Sequence, residues 1–134
     1  DEAGFNYRMP NLNAALGCAQ LERLPGYVSN KRQLADRYGN ALAGIDQLGL
    51  VREPSGCRSN YWLQTIRLGG QGARHRDDLL SALNDAGLMS RPVWRLMHRL
   101  DPYQQCPRAP LPVAENLEET LVNIPSSPCL VAGP

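Results

Sequence analysis

Between Asn11 and Ile45 apolar residues recur at helical spacing with a single interruption, Pro25-Gly26. That pattern commits the front of the chain to helix before any strand-forming segment appears. Leu12, Ala15, Leu16, Ala19 and Leu24 fall on one face, and Asn11 is placed to cap the first turn. Proline lacks an amide donor and its ring clashes with the preceding turn, so Pro25 predicts a stop near Leu24 and a new start. A second long helix is expected over 27–43. Tyr27, Leu34, Tyr38, Ala41 and Ile45 lie in a narrow band at 100° per residue and form its inward face. Gly17, beside Cys18, predicts a close approach by another element. Lys31 falls on the margin of the second band, where its stem can pack while its ammonium reaches water.

After residue 45 the pattern changes. Residues 46–60 read as a loop, with Gly49, Pro54, Gly56 and Asn60. Tyr61-Trp-Leu-Gln-Thr-Ile-Arg-Leu68 is rich in aromatic and β-branched types and is closed by Gly69-Gly70, which predicts a strand. Residues 73–86 predict a helix, with Asp77 and Asp78 in its first turn and Gly87 as its C-cap. A short strand at 88–93, a proline-punctuated stretch to 112, a helix near 113–121 and a last strand near 122–125 complete the chain. The expected fold is α+β: two long helices, then a small sheet with helices on one face. The expected organisation is one domain over 1–134, with an anion-contacting segment and first helix at 1–24, a long helix at 25–45 and a sheet unit at 61–134.

Composition narrows the partners. The 134 residues suit one domain, and 43% hydrophobic with 20% charged residues is ordinary for a globular chain. A net charge of +1 argues against a nucleic-acid surface. No run approaches the roughly 20 apolar residues of a membrane span. The opening Asp-Glu-Ala-Gly has neither a signal-peptide pattern nor an initiator methionine, and reads as a cut or processed piece. Cys18, Cys57, Cys106 and Cys129 lack zinc-ligand spacing, so no metal is expected and they read as reduced, buried, cytosolic thiols. There are 13 Arg but one Lys, Lys31. Any lysine-dependent chemistry must therefore use Lys31 or a lysine outside this chain.

Two constellations carry possible chemistry. Arg91, Arg95, His98 and Arg99 surround Trp94 in sequence. Guanidinium groups grip phosphates through paired hydrogen bonds and an indole can stack on a base or sugar, which together suit a nucleotide diphosphate. The competing reading is a solvated basic loop with Trp94 as a packing residue. Asn6, Tyr7 and Arg8 precede a helix start, where an amide and free backbone N–H groups can take an anion; a plain turn reads as well. His75, in Arg74-His75-Arg76, reads as exposed and uninvolved. Gly69-Gly70-Gln71-Gly72 is a turn rather than a phosphate loop, since no Walker lysine follows.

Gly4-Phe-Asn-Tyr-Arg-Met-Pro-Asn-Leu-Asn-Ala-Ala-Leu-Gly17 with Ala19-Gln-Leu-Glu-Arg-Leu24 resembles the segment that follows the catalytic core in the DegT/DnrJ/StrS family of vitamin-B6-dependent sugar-nucleotide aminotransferases. Arg91-Pro92-Val93-Trp94, followed by His98 and Tyr103, is a second matching block. Leu111-Pro112 to Glu115, with Asn123-Ile124-Pro125, is a third. The wording around Arg91 is most similar to members of legionaminic-acid-like and perosamine-like sugar pathways. The resemblance implies an aspartate-aminotransferase-type (fold type I) enzyme, with this chain as its C-terminal small domain and the large cofactor-binding domain absent. It implies pyridoxal phosphate as cofactor, held by an upstream lysine that Lys31 does not match, so the chain alone is expected to be inactive. It implies that Asn6, and more weakly Arg8, reaches the cofactor phosphate of a neighbouring subunit. His98, Arg91, Trp94 and Tyr103 are implied substrate contacts, with no catalytic residue in this chain. The implied reaction moves an amino group from glutamate to a keto sugar nucleotide, in the cytoplasm of a bacterium building surface polysaccharide. The implied assembly is a homodimer through the first helices, which predicts an exposed apolar face. A related dehydratase with the same cofactor and a non-catalytic sugar-nucleotide-binding or regulatory domain stay open as alternatives.

Overall fold

A computed structural model of the chain describes residue 4 and residues 7–131. Asn6 lies outside the described residues. The elements are α1 (Asn11–Ala41), β1 (Leu48–Leu50), β2 (Gln64–Leu68), α2 (Arg76–Asp85), β3 (Arg91–Pro92), α3 (Pro112–Thr120) and β4 (Leu121–Ile124), with short 3-10 turns between them. The strands form one antiparallel sheet in the order β1-β2-β4-β3.

The core follows from strand periodicity. Alternate residues of β2 face one side, and Ile66 and Leu68 are buried there. Ile66 pairs with Val122 across the β2–β4 ladder, so Val122 and Ile124 join the same face. Tyr38 of α1, Leu42 just after it, and Leu79, Leu80 and Leu83 of α2 cover it. α3 meets the sheet differently, with Arg67 of β2 donating to Asn116 at 3.1 Å. The α+β class expected from the sequence is the one observed.

Four local expectations change. The two front helices are one, running through Pro25 without a break. The proline forfeits only the hydrogen bond its own nitrogen would make, and helical residues on both sides carry the path through. The cap also shifts: Asn11 is the first helical residue and Pro10 precedes it, with no side-chain capping bond. β1 lies inside the expected loop; its Leu48-Gly49-Leu50 alternation becomes a strand only because Leu68 and Ile66 stand opposite. Only Arg91 and Pro92 of the expected 88–93 strand pair, since Pro92 and the edge position limit the ladder.

Within α1, only Leu34 and Ala35 are buried. Tyr38 is half-buried, whereas Ala41 and Ile45, expected on the inward face, are exposed because the helix ends at Ala41. The first half projects, with Leu12, Leu16, Leu21 and Leu24 between 47% and 73% exposed. The exposed apolar face anticipated from sequence is therefore present. Among the described residues, Gly17 meets no neighbour within 4 Å of an added Cβ, so none of them uses the space it leaves. All four cysteines are exposed, not buried: Cys18 lies on the projecting helix and the others lie in turns and loops.

α2 ends as its sequence requires. Gly87 has φ +76, Gly87 N donates to Asn84 O at 2.9 Å and Leu88 N to Leu83 O at 2.8 Å. This is the paired closure that glycine permits by lacking a Cβ.

Candidate functional site

The docked part of α1 is held by polar side chains. Arg32 clamps Glu53 with both terminal nitrogens, at 2.9 and 2.6 Å, and donates to Ser59 O at 2.7 Å. Ser59 N donates to Glu53 Oε2 at 2.6 Å, and the Arg32 guanidinium lies 5.5 Å from the Tyr61 ring centroid. The Arg32 hydrogen bond, followed by that from Ser59, holds the Glu53 carboxyl down at about 2. Lys31 Nζ donates to Trp62 O at 2.9 Å and Ser126 O at 2.6 Å. The ammonium expected to reach water instead joins α1 to the residues just before β2 and just after β4. Gln64, fully buried, adds a bond from Nε2 to Lys31 O at 2.9 Å.

Two of the sequence-predicted site residues come together. His98 and Tyr103 line one pocket of about 410 Å³, walled by Leu96, Met97, Pro107 and Leu111, with Arg108 on its lining. The 3-10 turns Met97–Arg99 and Asp101–Tyr103 put them there, closed by Leu100 N donating to Met97 O and Tyr103 N to Leu100 O. α3 anchors this segment. Glu118 accepts from Leu96 N at 2.9 Å and pairs with Arg99 at 2.5 Å, while His98 Nε2 sits 3.5 Å from Glu115 Oε1. The basic cluster read from sequence is thus partly neutralised by two carboxylates of α3. An apolar chamber with a few convergent polar groups is the ordinary form of a small-ligand site.

The other candidates stand elsewhere. Trp94 stacks on Trp62 with centroids 5.9 Å apart, and both indoles remain more than half exposed. Arg91 opens on a different groove, with Asn123, Ser126 and Ser127. Arg8 is exposed, ahead of α1. His75 is exposed and 3.2 Å from Asp78, as an uninvolved surface histidine would be. Sequence reasoning did not single out Arg108 or Trp62. Arg108 sits between prolines in Cys-Pro-Arg-Ala-Pro, a signal of a stiff loop that was available. Among the described residues, no group of three or more His, Cys, Asp or Glu could hold a metal ion, and no helix is long and apolar enough to cross a membrane.

A four-stranded α+β unit led by a 31-residue helix is the fold found in one part of the sugar aminotransferases. The sequence profile of the DegT/DnrJ/EryC1/StrS aminotransferase family matches residues 1–133, and the chain belongs to that family. Among its relatives is the GDP-perosamine synthase of Vibrio cholerae, 35% identical over 97% of this chain and 35% of that protein. The aminotransferase TlmJ from Streptoalloteichus hindustanus superposes with a TM-score of 0.76 at 29% identity, over 87% of this chain and 31% of that one. The Helicobacter pylori aminotransferase PseC has a TM-score of 0.81 over 96% of this chain and 35% of its own, at 20% identity, which speaks for the fold alone. The chain spans about a third of the length of the relatives it matches.

The family uses pyridoxal phosphate, and the one lysine of this chain, Lys31, is tied to two backbone carbonyls. Partial burial lowers its pKa, the direction that favours attack on an aldehyde. Two of its hydrogens, however, are committed to backbone carbonyls. An imine nitrogen would leave at least one of those carbonyls without a partner.

Proposed function

We propose that this chain is the C-terminal small domain of a pyridoxal-phosphate-dependent sugar-nucleotide aminotransferase, and that the lysine and the large cofactor-binding domain lie outside it. The reaction would move an amino group from glutamate to a keto sugar nucleotide for surface polysaccharide, in a bacterial cytoplasm. The chain's own part would be to bind and orient substrate. His98 and Tyr103 would contact it, with Arg91 and Trp94 as outlying contacts, and Asn6 and more weakly Arg8 would reach a cofactor phosphate on a second subunit across a dimer. Support comes from the family match over nearly the whole chain. The observation that carries the reading at this site is the shared pocket of His98 and Tyr103, two residues of one motif block that face the same apolar wall.

Two experiments test it. The chain mixed with pyridoxal phosphate is expected to give no imine absorbance and no amino transfer; stoichiometric, borohydride-trapped cofactor on Lys31 would overturn the assignment of the lysine to another part of the enzyme. In the protein that carries the lysine, His98→Ala is expected to raise KM for the sugar nucleotide about tenfold or more, the cost of losing a hydrogen bond to a charged ligand. Unchanged KM and kcat would remove His98 from the substrate site.

A further inference from the structure

The pocket holding His98 and Tyr103 has one charged group that the structure leaves without a partner. Arg108 lines it and makes no hydrogen bond or ion pair among the described residues. The neighbouring charges are already engaged. Arg99 pairs with Glu118, His98 faces Glu115, and Asp101 accepts from Gln104 Nε2 at 3.0 Å. The rest of the wall is apolar, from Leu96, Pro107 and Leu111, and Arg108 stands exposed at its rim, where a ligand can reach the guanidinium. The loop that presents it is stiff, because Pro107 precedes and Pro110 follows Arg108, and each fixes its own φ. Less conformational freedom is then lost when the side chain engages a ligand.

We propose that Arg108 selects for phosphate in this pocket, gripping the phosphate of a nucleoside diphosphate whose neutral part lies against Tyr103 and the apolar wall. The inference rests on the sugar-nucleotide reading above and adds the residue that reads charge. A guanidinium offers a planar fork matched to phosphate oxygens, whereas a lysine would offer only a point charge. The volume of about 410 Å³ is in the range of small-ligand sites and accepts a ring with its adjoining phosphate.

The test is calorimetric titration of the protein with GDP, UDP and dTDP, with the matching nucleosides and inorganic phosphate as separate arms. The expected result is that at least one diphosphate binds well above its nucleoside. Arg108→Gln should then weaken that diphosphate about tenfold or more and leave the nucleoside unchanged. Arg108→Lys should recover part of the loss, and the difference should shrink as salt rises. Arg37→Gln on the exposed flank of α1 should do nothing. Equal losses in Arg37→Gln and Arg108→Gln would mean a diffuse charge effect and would overturn the proposal. Inorganic phosphate binding as tightly as the diphosphate would overturn its nucleotide part. Diphosphate binding weakened by His98→Ala but untouched by Arg108→Gln would overturn the role of Arg108 and leave the sugar-nucleotide reading standing. No binding of any of the three diphosphates would overturn the proposal; the aminotransferase reading then stands or falls on amino transfer by the protein that carries the lysine.

Discussion

The Arg32–Glu53 pair makes this fold sensitive to acid. Glu53 is held near 2 where glutamate ordinarily titrates near 4.5. Its folded pKa is lowered, so the unfolded chain binds the proton more readily, and stability falls as pH falls. The contribution is fully present above about pH 4.5 and is lost on the way down to about 2. Melting temperatures recorded across that window should drop for the native protein and drop less for Glu53→Gln, which has nothing to protonate. Parallel curves for the two proteins would show the pair has no such role. Lys31 makes a second prediction. Its removal in Lys31→Met strips partners from Trp62 O and Ser126 O, and should cost about 1–3 kcal/mol in urea melts. No change would mean that water replaces the ammonium without loss.

Elements show what holds the unit together and what does not. β2 and β4 make the core, and Ile66 is 4% exposed between them. Ile66→Ala should cost about 2–5 kcal/mol, as buried aliphatic truncations do, read as a shift of the urea midpoint. Gly87→Ala places a Cβ at φ +76 and should cost about 1–2 kcal/mol. α1 behaves in the opposite sense. Because the helix continues through Pro25, Pro25→Ala restores an amide donor and removes a ring from a helix interior, a change of up to about 3 kcal/mol in favour of the helix. A rise in helical circular dichroism and in melting temperature is expected; a fall would mean that the path of the helix at Pro25 is needed for packing.

On the scale of the molecule, the surface is too large for a chain that stands alone. Its accessible area is 10327 Å², where a compact monomer of 14.8 kDa exposes about 7,000 Å². The excess lies on this chain alone, and it is of the order of one partner's share in the largest permanent interfaces, which bury about 2,000–5,000 Å² or more over both partners. Much of the exposed apolar area sits on the projecting half of α1 and just ahead of it, at Met9, Leu12, Leu16 and Leu21. Isolated, the chain should therefore self-associate through that face, with sedimentation velocity showing species above the monomer and Leu16→Glu dispersing them. A monomer at every concentration would show that these side chains drive no association.

Read alone, the residues determined the α+β class, a strand within 61–68, helix before and after it, and the glycine that closes α2. All of these are local, set by periodicity and by the conformations that glycine, proline and β-branched side chains allow. The motif blocks around Arg91, His98 and Tyr103 were legible too, because they are contiguous in sequence. Four things only the tertiary structure decided. Leu48–Leu50 is a strand because β2 lies beside it, and α1 runs through Pro25 because one missing hydrogen bond does not outweigh the turns on either side. Lys31 is a structural tie because Ser126, 95 positions away, offers a carbonyl. His98 and Tyr103 share a pocket with Arg108, while Arg91, seven residues before His98, faces another groove. Spacing along a chain gives the order of side chains; which of them converge depends on long-range contacts that no local pattern contains.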